Sequence, residues 1–230
     1  MRNKKILLKK AKENPLYRKA ITSYERNGPL NLGPLTSKKM VEDPQYVMFQ
    51  MSRYKHACRL IENKSIVADI GTGDGIGLGI MSKYFQKVYA IDIDEYLIKV
   101  SKKNNLRKNI EFKLHNFFEK KFSKKFDAAI SFDVMSSIPK RFENKFLENI
   151  SKSLKKDGIL IIGTQNKLST RYSKKKNLKE QSNFKTYQQL NKYMLNYFKN
   201  CIILSMNDET VHTGKRETSQ YFIAIGICVR

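Results

Sequence analysis

Apolar and polar positions fall into blocks whose period switches repeatedly along the chain. Ile66-Val67-Ala68-Asp69-Ile70 is a short apolar run, rich in β-branched residues, which predicts a buried strand. It breaks at once into Gly71-Thr72-Gly73-Asp74-Gly75-Ile76-Gly77, and an amphipathic segment from Ile76 to Phe85 predicts a helix. Val88-Tyr89-Ala90-Ile91 is a second strand, ending at Asp92-Ile93-Asp94 before a helix that begins near Glu95. Asn109 to Leu114 alternates as a third strand and delivers His115-Asn116-Phe117-Phe118. Lys125 to Phe132 is a fourth, nearly continuous buried run. Phe142, Phe146, Ile150 and Leu154 recur every fourth residue and predict a helix from Pro139 to Leu154, ended by Asp157-Gly158. Ile159 to Gly163 is a fifth strand, and Tyr187 to Phe198 a further helix. Ile202-Ile203-Leu204 and the run Tyr221 to Val229 are strands suited to pair as an antiparallel edge.

Strands alternating with helices imply an α/β fold: a Rossmann-like, doubly wound, mostly parallel seven-stranded sheet with an antiparallel C-terminal edge. Ahead of it, Asp43 as N-cap and Pro44 in the first turn start a helix to Ile61, with Val47, Met51, Tyr54 and Cys58 on one face. This predicts an N-terminal arm and helical cap over residues 1–60. Residues 61–230 then form the main domain, with a polar, Lys-rich insert near 166–185. Gly28-Pro29, Gly33-Pro34 and Asp43-Pro44 punctuate residues 27–44 as a loop.

Composition adds less. The 40% hydrophobic content and 13 Phe fit a globular chain of 230 residues with a sizeable core. No apolar run is long enough to cross a bilayer, and Ile6-Leu7-Leu8 is too short for a signal-peptide core, so the cytoplasm is the expected location. Three cysteines, Cys58, Cys201 and Cys228, have no CxxC spacing, so reduced thiols are expected rather than a disulfide framework or a metal site. The net charge of +24 favours anionic partners, but the lysines are spread along the chain rather than clustered in a stripe.

The alternate glycines remove side chains where the backbone must pass close to a ligand, next to the positive end of a helix. Asp92 lies 17 residues beyond Gly75, about where an acid grips ribose hydroxyls in nucleotide-binding α/β folds, and a carboxylate accepts from two hydroxyls at once. Asp94 is read instead as the cap of the following helix.

Four segments in order carry a resemblance: Val67–Gly77 with its D-x-G-x-G-x-G pattern headed by Asp69, Ile91-Asp92-Ile93-Asp94, Phe126 to Ser131, and Leu154 to Ile161. Over about residues 60–165 the chain resembles the class I S-adenosylmethionine (SAM)-dependent methyltransferases. The resemblance implies SAM as cofactor, with Gly71, Thr72, Gly73 and Gly75 in the turn that approaches it. It implies Asp69 orienting the amino group, Asp92 holding the ribose and Ile93 packing on adenine. Asn116 would face the adenine amine where the family often has an acid, and Phe117 and Ser131 would meet SAM through main-chain atoms. The chain departs from the family after the fourth strand, where Val134-Met135-Ser136-Ser137 replaces the acid and histidine of many small-molecule members. A narrower resemblance, to methyltransferases of bacterial surface-polysaccharide clusters, rests on Ser205 to Gly214 and on Asp43-Pro44, Phe49 and Arg53-Tyr54-Lys55.

Methyl transfer to a hydroxyl benefits from a base with a pKa near working pH, so His212 in the polar Ser205–Gly214 stretch and His115 after the third strand are the catalytic candidates, ahead of His56. Glu209 is placed to orient His212, while Arg53 and Tyr54 are candidates for contacting the acceptor. Lys174-Lys175-Lys176 reads as a solvated lid. O-methylation of a small anionic or sugar-type metabolite is the leading expectation. An RNA or protein acceptor, drawn by the basic surface, is the alternative. Behind these stand an NAD(P) oxidoreductase, against which the glycine spacing counts, and a non-catalytic SAM binder. Oligomeric state is not legible.

Overall fold

The computed structural model describes residues 13–105, 107–169 and 183–230. Much of the expected Lys-rich insert, including Lys174-Lys175-Lys176, lies outside them, as does most of the N-terminal arm. Contacts divide the chain at Leu32 into a short N-terminal unit and a main unit, Gly33–Arg230. The first holds helix α1 (Pro15–Asn27), started by the Asn14 side chain accepting from the Leu16 N–H and carrying no buried residue.

In the main unit, helices α2 (Gly33–Glu42) and α3 (Pro44–Leu60) precede an alternation of strands and helices. The strands are β1 (Ile66–Ile70), β2 (Lys87–Asp92), β3 (Ile110–Leu114), β4 (Phe126–Phe132), β5 (Leu154–Gln165), β6 (Phe198–Asn207), β7 (Thr210–His212) and β8 (Tyr221–Val229). Between them run α4 (Leu78–Tyr84), α5 (Glu95–Asn104), α6 (Lys140–Ser151) and α7 (Tyr187–Leu195). Asp94 caps α5 as expected, accepting from the Tyr96 and Leu97 N–H groups.

The strands form one sheet in the order β3-β2-β1-β4-β5-β8-β6-β7. Pairing is parallel from β3 through β5 and antiparallel where β8 joins β5 and β6. The eighth strand, absent from the sequence reading, is β7: residues expected as loop fold back on Ser205–Asn207 as a hairpin. Strand order reverses between β1 and β4, so the chain leaves a crevice there at the strands' C-terminal ends.

Both faces of the sheet are covered. Ile70, Ile91, Ala129 and Ile162 pack with Phe146, Leu147 and Ile150 of α6 and Leu190 and Met194 of α7. On the other face Val67, Val88, Ile130 and Ile161 pack with Tyr54, Ala57 and Cys58 of α3 and Leu78 and Met81 of α4. Helix α3, at the expected boundary near residue 60, is thus built into the same core as the sheet. All three cysteines are free thiols, and burial pushes that of Cys58 up to about 12.

Helix α2 corrects the expected loop over 27–44. Gly33-Pro34 is a helix start, where proline's missing N–H costs nothing. Its cap comes from outside the segment: Asp74, in the glycine turn, accepts from Thr36 N at 2.7 Å and Thr36 Oγ1 at 2.8 Å. A buried carboxylate at a helix N-terminus satisfies otherwise orphaned N–H groups and the helix dipole. Replacing Asp74 by Ala is expected to lower unfolding free energy by about 1–2 kcal/mol, as for loss of an N-cap. Urea unfolding gives the value, and hydrogen exchange should show faster loss of protection at Thr36–Lys38 than in the sheet.

Candidate active site

A cavity of about 300 Å³ opens at the β1/β4 crevice. Its floor is the end of β1 and the turn after it, with Gly71 and Gly73 on the wall and φ angles of 77° and 58°. A Cβ at Gly71 would collide with Val134, and one at Gly73 would press on Leu35 of α2. Gly71 therefore needs glycine for backbone angle and for space, and Gly73 chiefly for backbone angle.

Asp92, at the end of β2, fixes the turn from the side. Its Oδ2 accepts from Gly73 N at 2.8 Å and its Oδ1 from Asp94 N at 3.0 Å, and its edge remains on the cavity wall. Ile93 beside it is 54% exposed, an apolar side chain left uncovered at the cavity rim. Phe117 is buried, edge-on to Phe146 and His115. Asn116 lines the same end, its Oδ1 accepting from Phe118 N and its Nδ2 donating to Glu119. The structure thus gathers Gly71, Gly73, Asp92, Ile93, Asn116 and Phe117 around one space.

Other expected residues stand behind the wall. Asp69 is fully buried, accepting from Tyr54 Oη at 3.1 Å and Thr72 Oγ1 at 2.7 Å. Thr72 and Tyr54 are thereby spent on Asp69, and Tyr54 also packs edge-on against Phe132. Tyr54 is a brace inside the core rather than an acceptor-facing group. Gly75 backs onto Ser101 of α5, where a Cβ would collide, and Ser131 donates to Ile70 O at 3.0 Å, lacing β4 to β1.

Of the candidate histidines, His115 is on the cavity wall and His212 is not. His115 lines the cavity but follows β3, two strands from β1, so about 10 Å to the side at ordinary strand spacing. Its Nε2 faces Lys120 O at 3.0 Å, and burial lowers its pKa. His212 ends β7, the outermost strand, four positions from β4 or about 19 Å across the sheet. Its Nδ1 accepts from Gly214 N at 3.2 Å in a local turn. Glu209 lies in the same hairpin, where its backbone oxygen accepts from Ser52. The sequence places these groups after strands, but strand order sends them to the flanks. His56, on α3, is not on the wall.

Beside the crevice, sequence reasoning singled out Arg53 as an acceptor-contacting candidate but passed over the acid and the tyrosine it meets there. Asp133, directly after β4, is on the cavity wall with φ of 60°. Its Oδ2 accepts from Tyr46 Oη at 2.9 Å and from Arg53 Nη1 at 3.0 Å, both on α3. Arg53 is 5% exposed and stacks on the ring of Tyr221, 3.6 Å from its centroid. Burial and the Asp133 charge hold the Tyr46 hydroxyl well above its ordinary pKa, so it stays a donor. The signal was present as an acid at the end of the fourth strand, but its partners are 80 and 87 residues away.

Residues 61–218 match the profile of a family described as a methyltransferase domain. The chain belongs to that family. It is a SAM-dependent methyltransferase, as the class I resemblance implied. No curated protein matches the methyltransferase by sequence. Among solved structures it is similar to the methyltransferase domain of bacterial CtHen1, with a TM-score of 0.66 at 14% identity over 78% of this chain and 98% of that one. A SAM-dependent methyltransferase from Clostridium acetobutylicum gives 0.65 at 11% identity, over 84% and 97%. A TehB-like SAM-dependent methyltransferase from Corynebacterium glutamicum gives 0.61 at 16% identity, over 85% and 100%. These likenesses concern the fold.

Burial pushes the Asp69 carboxyl up to about 7, with the nearby Asp92 charge adding to it against the hydrogen bonds of Thr72 and Tyr54. An unfolded Asp titrates near 4. Between these values the native methyltransferase holds a proton that the unfolded chain has lost, so this group's contribution to stability falls as pH rises. Asp69→Asn should remove that slope. Urea unfolding from pH 5 to 8 is expected to show the variant gaining about 2–3 kcal/mol on the wild type across the range.

Proposed function

We propose that this enzyme methylates a hydroxyl oxygen of a small sugar-type or anionic metabolite, such as a nucleotide-linked sugar or surface-polysaccharide precursor. The observation that carries the cofactor half is the cavity at the β1/β4 crevice, where glycine backbone, an acid and an uncovered apolar side chain meet. In this reading Gly71 and Gly73 let the backbone approach SAM, and Asp92 accepts from the ribose hydroxyls with the lone pairs its two backbone donors leave free. Ile93 and Phe117 cover the adenine faces, with Asn116 at its edge. Asp69 acts from behind, holding Thr72 and Tyr54. When bound, SAM supplies an electrophilic methyl carbon whose departing electron pair stays on sulfur.

The acceptor half draws support from two sides. Leu35 of α2 lines the cavity, and α3 backs its wall by holding Asp133 through Tyr46 and Arg53, a confined space that favours a small acceptor over a macromolecule. The net charge of +24 raises the local concentration of anionic metabolites. That same charge is what favours the second reading, an RNA or protein acceptor. Solved structures of similar fold include an N-methyltransferase, NodS from Bradyrhizobium japonicum, and DhpI with SAM and the ligand HEP. No helix among the described residues is long and apolar enough to cross a membrane.

SAM and its demethylated product S-adenosylhomocysteine (SAH) are expected to raise the melting temperature, while NAD and NADP leave it unchanged; stabilisation by NAD alone would reject the cofactor. Label from methyl-labelled SAM should enter a small-metabolite extract rather than total RNA or protein. Asp92→Ala is expected to weaken SAH binding about 10- to 100-fold by calorimetry, the range for hydrogen bonds to a charged group.

A further inference from the structure

The wall at Asp133 is built beyond what folding needs. A non-glycine residue at φ of 60° persists where its surroundings enforce it, and such residues gather at working sites. Asp133 N donates to Gly163 O at 3.1 Å, and Tyr46 and Arg53 both donate to Oδ2, which fixes the carboxylate plane. None of the hydrogen bonds or ion pairs of the described residues engages Oδ1. Around this carboxylate, Arg53 Nε is buried without a partner, and the buried Tyr221 hydroxyl lies close enough to Asp133 to interact with it. Burying a guanidinium and the Tyr221 phenol there costs stability that an apolar set would not, so the arrangement suits a ligand.

Resting on the reading of the cavity as the SAM site, we infer that Asp133 handles the methyl acceptor. Its free Oδ1 takes first the hydrogen bond and then the proton of a neutral hydroxyl. The O–H bond breaks toward Oδ1 while a lone pair of the same oxygen forms the bond to the methyl carbon, and the pair of the broken carbon–sulfur bond remains on sulfur. A carboxylate suffices as base because the hydroxyl becomes strongly acidic only as the new bond forms, so the proton leaves late. Positive charge develops on the acceptor oxygen during transfer, and a fixed carboxylate beside it stabilises that charge more than it stabilises the ground state. The same oxygen repels an acceptor whose reacting atom is already an anion. The site therefore selects the hydroxyl of a metabolite, even one carrying phosphate or carboxylate elsewhere, and rejects methylation at those anionic oxygens. Arg53 and Tyr46 act through Asp133 as positioning residues.

Asp133→Asn tests this directly, because Asn tolerates positive φ and keeps the shape while removing the charge. The first probe is a SAM analogue carrying a primary amine in place of the S-methyl group, compared with SAH by calorimetry. The variant is expected to lose at least tenfold in affinity for the amine analogue while SAH stays within threefold; an unchanged ratio between the two ligands overturns the inference. Should that variant not fold, Tyr46→Phe leaves the ion pair in place and is expected to give the same selective loss, about threefold, with no selective loss again counting against it. The second probe is label transfer into the metabolite extract. Asp133→Asn should slow it about 100-fold, and the wild-type product should hold its label in mild alkali. Label released as methanol marks a carboxylate ester and overturns the inference, as does an undiminished rate. A wild type that binds SAH yet labels no small molecule, or one that does not bind SAH, brings down the underlying reading instead, and the inference with it.

Discussion

A single buried carboxylate, Asp69, ties the working parts of this enzyme together. It is the penultimate residue of β1, accepts from Thr72 of the glycine turn, and accepts from Tyr54 of α3. The first bond shapes the loop along the floor of the cavity. The second sets where α3 lies across the sheet. Because a helix presents successive residues about 100° apart, fixing Tyr54 in the core directs its neighbour Arg53, and Tyr46 two turns earlier, toward the end of β4. The cavity floor and the wall at Asp133 are thus both referred to one acid that folding has taken out of water.

Magnitudes separate these interior contacts from the many ion pairs outside. Lys99–Glu95 at 2.8 Å is 71% and 65% exposed, and pairs of that kind contribute at most about 1 kcal/mol each. The Arg53–Asp133 pair, at 6% and 23% exposure, is of another kind. Its desolvation offsets much of its attraction, so it adds little to stability while intact and removes much when one partner is lost. Such a pair fixes geometry rather than holding the fold together. The surplus of surface lysines has its effect at a distance, through the field it sets up in solution.

Much of this was legible in the chain. Period-two and continuous apolar runs marked five parallel strands, and the alternate glycines with Asp92 marked the cavity floor. What escaped depended on contacts distant in sequence. Gly33-Pro34 reads locally as a loop because the cap of α2 is Asp74, 38 residues beyond the Thr36 it accepts from. His212 looked catalytic from its polar neighbours, but the order β5-β8-β6-β7 carries it to the sheet's far edge. Asp133 lacked a recognisable motif around it, and only folding brings Tyr46 and Arg53 to it. Gly75 shared the motif with Gly71 and Gly73, yet its positive φ serves packing against α5.

The grip of Asp92 on Gly73 has a kinetic and an entropic side. Ordering a flexible residue costs about 1–2 kcal/mol, and a glycine more than most. Here the turn is pinned from within the protein, by the Gly73 N–H donating to Asp92 Oδ2. Folding meets that cost, and the nucleoside proposed to bind there would find the saddle formed. Pre-organisation of this sort lets binding free energy appear as affinity instead of being consumed in freezing the loop.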